Sequence, residues 1–330
     1  MKSDKSLNEN DKEKWQKEVP YDVRQEAISD AIVAWKTNLQ RVKKKQIKKF
    51  HVSFKSKKQL SQIFRVNKDA LNINEMRIFV RRLKKKSKLR FRKRDISKYF
   101  QDGTVSGNFI VLHTKPDYWY LCLPREKELP VYENAVYKSV FLDPGSRSFQ
   151  TFYSPEGVCG KISVDEKIRD IAKRHDSLQS VRDKCTSKTK KYRISKRMAK
   201  LRHKMKNIIN DLHWKTCNFL CKVFRTVVIS PFKVSKMVRG SPLGSKVTRS
   251  ILSLSHSKFK DRLKWYGNTK QRNVIIAGES YTTKTCGQCG GTRHVGGSKV
   301  YCCKKCNVKI DRDYNGSRNI ALRTLTHLYK

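Results

Sequence analysis

Two Cys-x-x-Cys pairs, Cys286/Cys289 and Cys303/Cys306, stand thirteen residues apart and are flanked by Glu279 and Asp313. A tetrahedral zinc site needs four soft ligands converging from two tight turns. A two-residue gap lets both sulfurs of one turn reach the same ion. The residues between the pairs, 290–302, are enough for a small β-ribbon that folds back and is closed at its base by the metal. Four thiolates leave no open coordination position, so this zinc is structural; Cys302 is a spare or alternate ligand. Glu279 lies seven residues before the first ligand and Asp313 seven after the last. The ribbon therefore draws together two acids that are distant along the chain, and the pattern predicts a metal-dependent site with a zinc module inserted beside it.

Charge narrows the partner. Lys and Arg number 76 against 28 Asp and Glu, a formal net charge of +48. So basic a chain repels itself until something acidic neutralises it, which makes nucleic acid the expected partner. A membrane surface is the competing reading. No apolar run approaches the ~18 residues of a spanning helix, and the first residues lack a signal-peptide core. The expectation is an intracellular protein without a membrane partner, nuclear if the host is eukaryotic. The blocks Arg81–Lys86 and Arg90–Arg94 suit a nucleic-acid surface and a nuclear-import signal. With 37% hydrophobic residues the chain can also build a core, and ten mostly scattered cysteines fit a reducing compartment.

Periodicity and breakers give the element order. Residues 1–19 read as a loose leader. A helix is expected over 20–49, with Val23, Ala27, Ile28, Ala31, Ile32 and Trp35 on one face, and a strand over 50–54. Residues 107–123 read as two strands joined by a Lys-Pro-Asp turn, and 124–130 as a linker. Tyr137–Asp143 is a buried strand ending in an acid, broken by Pro144-Gly145 and followed by a strand over 148–153 that turns at 154–157. Helices are expected over 163–183, 192–224, 246–266 and 312–328, with strands at 226–229 and 273–277. The helix over 192–224 carries Ile194, Met198, Leu201, Met205, Ile208 and Leu212 at four-three spacing, a stripe that packs on a neighbour.

Acids are scarce in the second half. From Lys184 onward only Asp211, Asp261, Glu279, Asp311 and Asp313 occur, and three of them surround the cysteines. Two-metal phosphodiester hydrolysis needs carboxylates that hold ions roughly 3.5–4 Å apart. Mg²⁺ keeps several waters, so three acids serve two ions. Asp143, Glu279 and Asp313 are the candidates; Asp143 as a turn former, and Asp311 and Asp313 as helix caps, are the plainer readings. Asp313 is preferred to Asp311, while Asp211 and Asp261 read as surface ion-pair partners. The order strand, Asp143, hairpin, helix, strand, helix, strand, Glu279, insert, Asp313, helix suits an α/β fold with an RNase H-like nuclease core.

Three segments carry a family resemblance: Asp143-Pro-Gly-Ser-Arg-Ser-Phe-Gln-Thr-Phe-Tyr-Ser-Pro-Glu-Gly157, Ser280-Tyr-Thr-Thr-Lys-Thr-Cys-Gly-Gln-Cys-Gly290 and Asp311-Arg-Asp-Tyr-Asn-Gly-Ser-Arg-Asn-Ile320. They resemble the TnpB (OrfB) transposon-encoded nucleases, and more closely their Fanzor relatives, from about Tyr137 to the end. The resemblance implies a RuvC core interrupted by a zinc ribbon and preceded by a small wedge-like β-domain with a helical recognition part. It divides the chain into a nucleic-acid-binding region at 1–135, the RuvC core at 136–278, the ribbon with its flanking acids at 279–313 and a final helix at 314–330. It further implies an RNA-guided DNA endonuclease, a monomer that takes guide RNA and target DNA and uses two catalytic Mg²⁺ ions and one structural Zn²⁺. The first family acid falls on Asp143 and the third on Asp313. TnpB places the second just after the strand that here runs into Ser230-Pro231-Phe232, where no acid stands. Many Fanzor proteins share that loss and have a Glu before the Cys-rich insert, which matches Glu279. Rival readings are a DNA strand transferase, a four-way-junction resolvase, and a non-enzymatic zinc-ribbon regulator of transposition.

Overall fold

The computed structural model describes residues 18–53, 61–72, 77–79, 105–114, 117–124, 126, 134–232, 234, 237–238, 244–278, 280–294, 296 and 298–328. Most of the expected leader, the basic blocks at 81–94 and Glu279 lie outside the described residues. The chain divides into two units between Glu128 and Leu129.

The first unit opens with helix α1 (Tyr21–Lys43), whose Asp22 in the first turn and Arg41 and Lys43 in the last suit the helix dipole. Strands β1 (Ser61–Val66), β4 (Phe109–Thr114) and β5 (Tyr118–Cys122) form an antiparallel sheet in the order β1-β4-β5. A short pair, β2 (Leu71–Asn72) and β3 (Arg77–Ile78), lies between β1 and β4 in sequence. Val66, Ile78, Phe79, Phe109 and Val111 make the core, and Val23 of α1 packs against it. The α1 stripe otherwise departs from expectation, since Ile28, Ile32 and Trp35 are exposed. The expected strand at 50–54 is also absent over Phe50–Ser53, which is irregular. Phe50 meets Trp35 edge-on at 6.5 Å instead of entering a ladder.

The second unit is built on five strands in the order β10-β9-β6-β7-β8. β6 (Tyr137–Pro144), β7 (Ser148–Tyr153) and β8 (Cys159–Ser163) form an antiparallel meander. Helices α2 (Glu166–Lys184) and α3 (Lys188–Val223) follow, and β9 (Phe224–Ile229) returns parallel to β6. Then come α4 (Ser245–Leu254), α5 (His256–Thr269) and β10 (Asn273–Ile276), parallel to β9. A two-stranded ribbon, β11 (Val300–Cys302) with β12 (Lys309–Asp311), leads directly into α6 (Arg312–Leu328). Central parallel strands are buried on both faces and read as continuous apolar runs. Val140, Phe141 and Leu142 of β6 and Val227, Val228 and Ile229 of β9 are accordingly all buried. Val140, Leu142, Val227 and Ile229 face Cys217 and Leu220 of α3 and Phe259 and Leu263 of α5. Phe141 and Val228 face Ile320 and Ala321 of α6. The sheet thus lies between two helical layers.

Three details differ from the sequence reading. β8 (Cys159–Ser163) is unexpected, and only its last residue falls in an expected element, the helix over 163–183; α2 begins later, capped by Asp165, whose Oδ1 accepts from the Lys167 amide at 2.8 Å. In α3 the fully buried positions pass from Met198 to Ile209, His213, Thr216, Cys217, Leu220 and Cys221, leaving Ile208 and Leu212 only partly buried at the edge of that face. A straight helix of 3.6 residues per turn drifts from a 3.5 repeat, and over this length the drift moves the stripe by a residue. The helix expected at 246–266 is two helices, because Ser255 adopts φ 49° and breaks the ladder. Among the described residues no helix is long and apolar enough to cross a membrane.

Candidate active site and four-cysteine cluster

Asp143 sits at the end of β6, in the middle of the sheet, opposite Thr151 of β7. It is two residues beyond Phe141 and so shares the face covered by α6. Helix α6 begins at Arg312, with Asp313 in its first turn. One turn on, Gly316 lies so close to β6 that an added Cβ would fall on the Asp143 carboxylate. Asp143, Asp311 and Asp313 line one cleft of about 730 Å³, together with the cations Arg147, Lys161, Lys299 and Arg312. The last strand of the ribbon and the first turn of α6 thus carry Asp311 and Asp313 to the end of the central strand.

The two neighbouring acids have different surroundings. Asp311 Oδ1 accepts from the backbone amides of Asp313 (2.9 Å) and Tyr314 (3.3 Å), capping α6, while its Oδ2 accepts from Lys161 Nζ at 2.7 Å. Burial alone would raise the Asp311 pKa, but the Lys161 bond and the two amides outweigh it and lower it. Lys161 Nζ is 3.7 Å from Asp313 Oδ2 and lies 5.0 Å from the Tyr314 ring centroid. Burial pulls the Lys161 pKa down, and the charges of Asp311 and Asp313 more than reverse that. Asp311 is thereby committed to a cap and an ion pair, whereas Asp313 keeps the looser contacts. Lys161 escaped the sequence reading: it is one of 76 Lys and Arg residues and lies on a strand to which that reading assigns no element.

The position that follows β9, beside Asp143, is occupied by a hydroxyl. β6 and β9 are in register through Leu142 and Ile229, so the next pair sets Ser230 beside Asp143. Ser230 is buried, and no carboxylate stands there. Glu279 itself is not among the described residues. Before it, the Ala277 amide donates to the Ile229 carbonyl at 3.1 Å; after it, the Ser280 carbonyl accepts from Arg323 Nη1 of α6 at 3.0 Å. The chain on both sides of position 279 is therefore fastened to β9 and α6. The loop after Asp143 is fixed from the other helical layer, where His256 Nε2 donates to the Gly145 carbonyl at 3.1 Å. The donor set of the cleft, carboxylate oxygens from Asp143 and Asp313, is the kind a hard divalent cation takes.

The sulfurs of Cys286, Cys289, Cys303 and Cys306 all lie within 4.8 Å of one another. Cys286–Cys306 is 3.6 Å and Cys289–Cys303 is 3.5 Å. A tetrahedron with Zn–S of about 2.3 Å has edges of about 3.8 Å, so the four fit one zinc ion; Cys302, on β11, is not among the converging residues. Tyr301 is buried behind them, with its hydroxyl donating to the carbonyls of Lys284 (3.1 Å) and Gly291 (3.2 Å). The cluster is tied to α6 by two asparagines. Asn315 Oδ1 accepts from the Gly287 amide at 3.0 Å and its Nδ2 donates to Thr285 O at 2.8 Å. Asn319 Nδ2 donates to Thr282 O and Thr285 O at 2.8 and 2.7 Å. The ribbon therefore sets the first two turns of the helix that carries Asp313.

Residues 256–320 match the family described as Cas12f1-like, TNB domain. "Putative transposase R186" of Acanthamoeba polyphaga mimivirus is 30% identical over 57% of this chain and 40% of its own length. "TnpB-like protein L79" of the same virus is 29% identical over 57% of the chain and 38% of its length. The matched part thus spans about two fifths of those relatives. "Putative transposase A625R" of Paramecium bursaria Chlorella virus 1 is 25% identical over 96% of this chain and 72% of its own. Among solved structures, a Cas12f1–sgRNA–target DNA complex aligns with 65% of this chain and 57% of that one, at 19% identity and a TM-score of 0.41, too distant to carry an argument. By sequence, then, the chain is similar to transposase and TnpB-like proteins of two viruses, and its cysteine-bearing segment is similar to the Cas12f1-like TNB domain.

Proposed function

We propose that the chain is a metal-dependent endodeoxyribonuclease of RuvC type, directed to its DNA target by a guide RNA and derived from a transposon. The observation that carries this reading is that Asp143 and Asp313 line one cleft, with cations also in its lining, at the end of the central strand of a sheet ordered β10-β9-β6-β7-β8. Three antiparallel strands followed by two parallel ones, with helices on both faces, is the arrangement of an RNase H-like core. Asp143, Glu279 and Asp313 hold two Mg²⁺ ions in this proposal. Those ions, when bound, activate a water and stabilise the leaving oxygen of the phosphodiester. The chain's own groups do the rest. Arg147, Lys299 and Arg312 line the cleft where a phosphate backbone enters, and Lys161 offsets Asp311 so that this carboxylate stays on the helix cap. The four cysteines hold a structural zinc that maintains α6 against the sheet. A net charge of +48 suits a protein that grips an RNA and a DNA together as an intracellular monomer, nuclear in a eukaryotic host.

The test is cleavage of a linear DNA carrying a sequence matched to RNA that copurifies with the protein. Cleavage that needs both the RNA and Mg²⁺ is the expected result. Asp143→Ala should lower the rate by more than the roughly 10–100-fold that even outer-shell partners of metals cost. RNA-independent joining of DNA ends would identify a strand transferase instead, and full activity in Asp143→Ala would remove the site from the chemistry.

A further inference from the structure

On the helical layer away from α6, two tryptophans break the burial pattern. Trp214 of α3 is 41% exposed and Trp265 of α5 is 59% exposed. Their ring centroids are 5.9 Å apart and nearly perpendicular, and Tyr266 closes the group at 6.2 Å from Trp214. The Arg262 guanidinium lies over Trp214 at 5.1 Å and is anchored from behind, donating to His213 Nδ1 at 3.0 Å and Asn210 Oδ1 at 2.8 Å. Tyr266 is held by its hydroxyl on Asn218 Oδ1 at 2.9 Å. Rings this large, solvent-facing and mutually buttressed offer aromatic area at low entropic cost to a ligand.

Cations crowd the same surface. Burial lowers the Lys258 pKa, and Lys206 and Arg262 push it further in the same direction, so these three positive groups repel one another. Among the described residues no carboxylate pairs with any of them. Asp211, the sole acid of α3, is taken by Lys215 at 2.7 Å, and Asp261 is the sole acid of α5. None of these residues lines the cleft that holds Asp143 and Asp313.

We propose that Trp214 and Trp265 form a base-stacking site for single-stranded nucleic acid, whose phosphates are taken by Lys206, Lys258 and Arg262. Exposed rings beside cations that no carboxylate among the described residues neutralises match a ligand that presents flat π-faces and regularly spaced negative charge. In a duplex the base faces are already stacked and hidden, whereas a single strand can splay its bases onto two rings set at a large angle. An ordinary protein partner would have to desolvate three like charges, which phosphates instead neutralise.

The experiment is equilibrium binding of the full chain to a 20-nucleotide polythymidine and to a blunt duplex of the same length, read by anisotropy and tryptophan quenching. It is run at raised salt, where purely phosphate-driven binding is suppressed. Trp265→Ala should weaken polythymidine binding about tenfold, remove part of the quenching and leave duplex binding unchanged, and Trp265→Phe should recover most of the loss. Unchanged polythymidine affinity in Trp265→Ala, or equal losses for strand and duplex, would overturn the proposal; a protein partner for this face predicts the first of these. Binding needs no cleavage, so the outcome is independent of the nuclease reading.

Discussion

At the scale of single residues, the closest constraint in the cleft is a glycine. Gly316 lies within α6, where glycine is usually worse than alanine by roughly 0.5–1 kcal/mol, so replacement by alanine would ordinarily stabilise the helix. Here the added methyl would land on the Asp143 carboxylate, and either that side chain or the helix must shift. Displacements of about 1 Å at a reacting centre cost as much as ~100-fold in rate. Gly316→Ala is therefore expected to cut DNA cleavage by that order, without the rise in melting temperature that helix propensity alone would give. A more stable and fully active variant would show that the contact is not felt. The candidate residues differ in how visible they are in the sequence. Asp143 stands out because acids seldom end a buried strand, and the cysteines stand out by spacing. Lys161 has no such mark, since only the pairing of β8 with β7 brings it to Asp311 and Asp313.

At the scale of elements, α3, α5 and β7 meet through a three-ring stack in which Phe149 lies between His213 at 5.1 Å and His256 at 5.3 Å. Burial drives both histidines down to about 4. For His213 the Leu254 carbonyl opposes the fall while Arg262 and Lys258 add to it; for His256 the Gly145 carbonyl opposes it and His213 adds to it. An unfolded histidine titrates near 6.5. Between those values the unfolded chain binds more protons than the folded one, so stability is full above about pH 7 and declines as pH falls towards 4. Each ring accounts for about 2 kcal/mol of loss by pH 5 on this basis. Thermal melts at pH 7.5 and 5.0 should show the decline, and His256→Phe should reduce the slope by roughly the contribution of one ring. An unchanged slope would mean that the ring is already protonated in the fold. Element boundaries were legible where chemistry marks them, as at Pro144-Gly145 after β6 or at the Arg312 start of α6. They were not legible at Ser255, where an ordinary serine takes a left-handed conformation, nor at Phe50–Ser53, where an alternating run has a ring to pack on but pairs with no strand among the described residues. The α1 stripe misled for a related reason: periodicity reports a face, and only the surroundings decide whether anything covers it.

At the scale of the molecule, the cleft draws on segments separated by most of the second unit: the end of β6, the middle of β8 and the β12–α6 junction. Nothing local in the sequence connects them. The link is the four-cysteine ribbon, whose backbone is bonded to Asn315 and Asn319 in the first two turns of α6. α6 in turn covers Phe141 and Val228 at the centre of the sheet. Small metal-closed ribbons owe much of their folding free energy to the ion, and the cysteine cluster has little apolar packing beyond Tyr301, Val308 and Ile310. Loss of zinc should therefore free the Thr282–Gly287 segment, release the start of α6 and move Asp313 away from Asp143. The measurement is zinc removal by a thiol-directed chelator, or Cys289→Ser, followed by amide hydrogen exchange across α6 alongside the cleavage assay. Faster exchange in the first two turns of α6, with cleavage falling in step with zinc release, is the expected outcome. Exchange confined to residues 284–306, with α6 protected and cleavage intact, would show that the ribbon and the cleft are neighbours without being coupled.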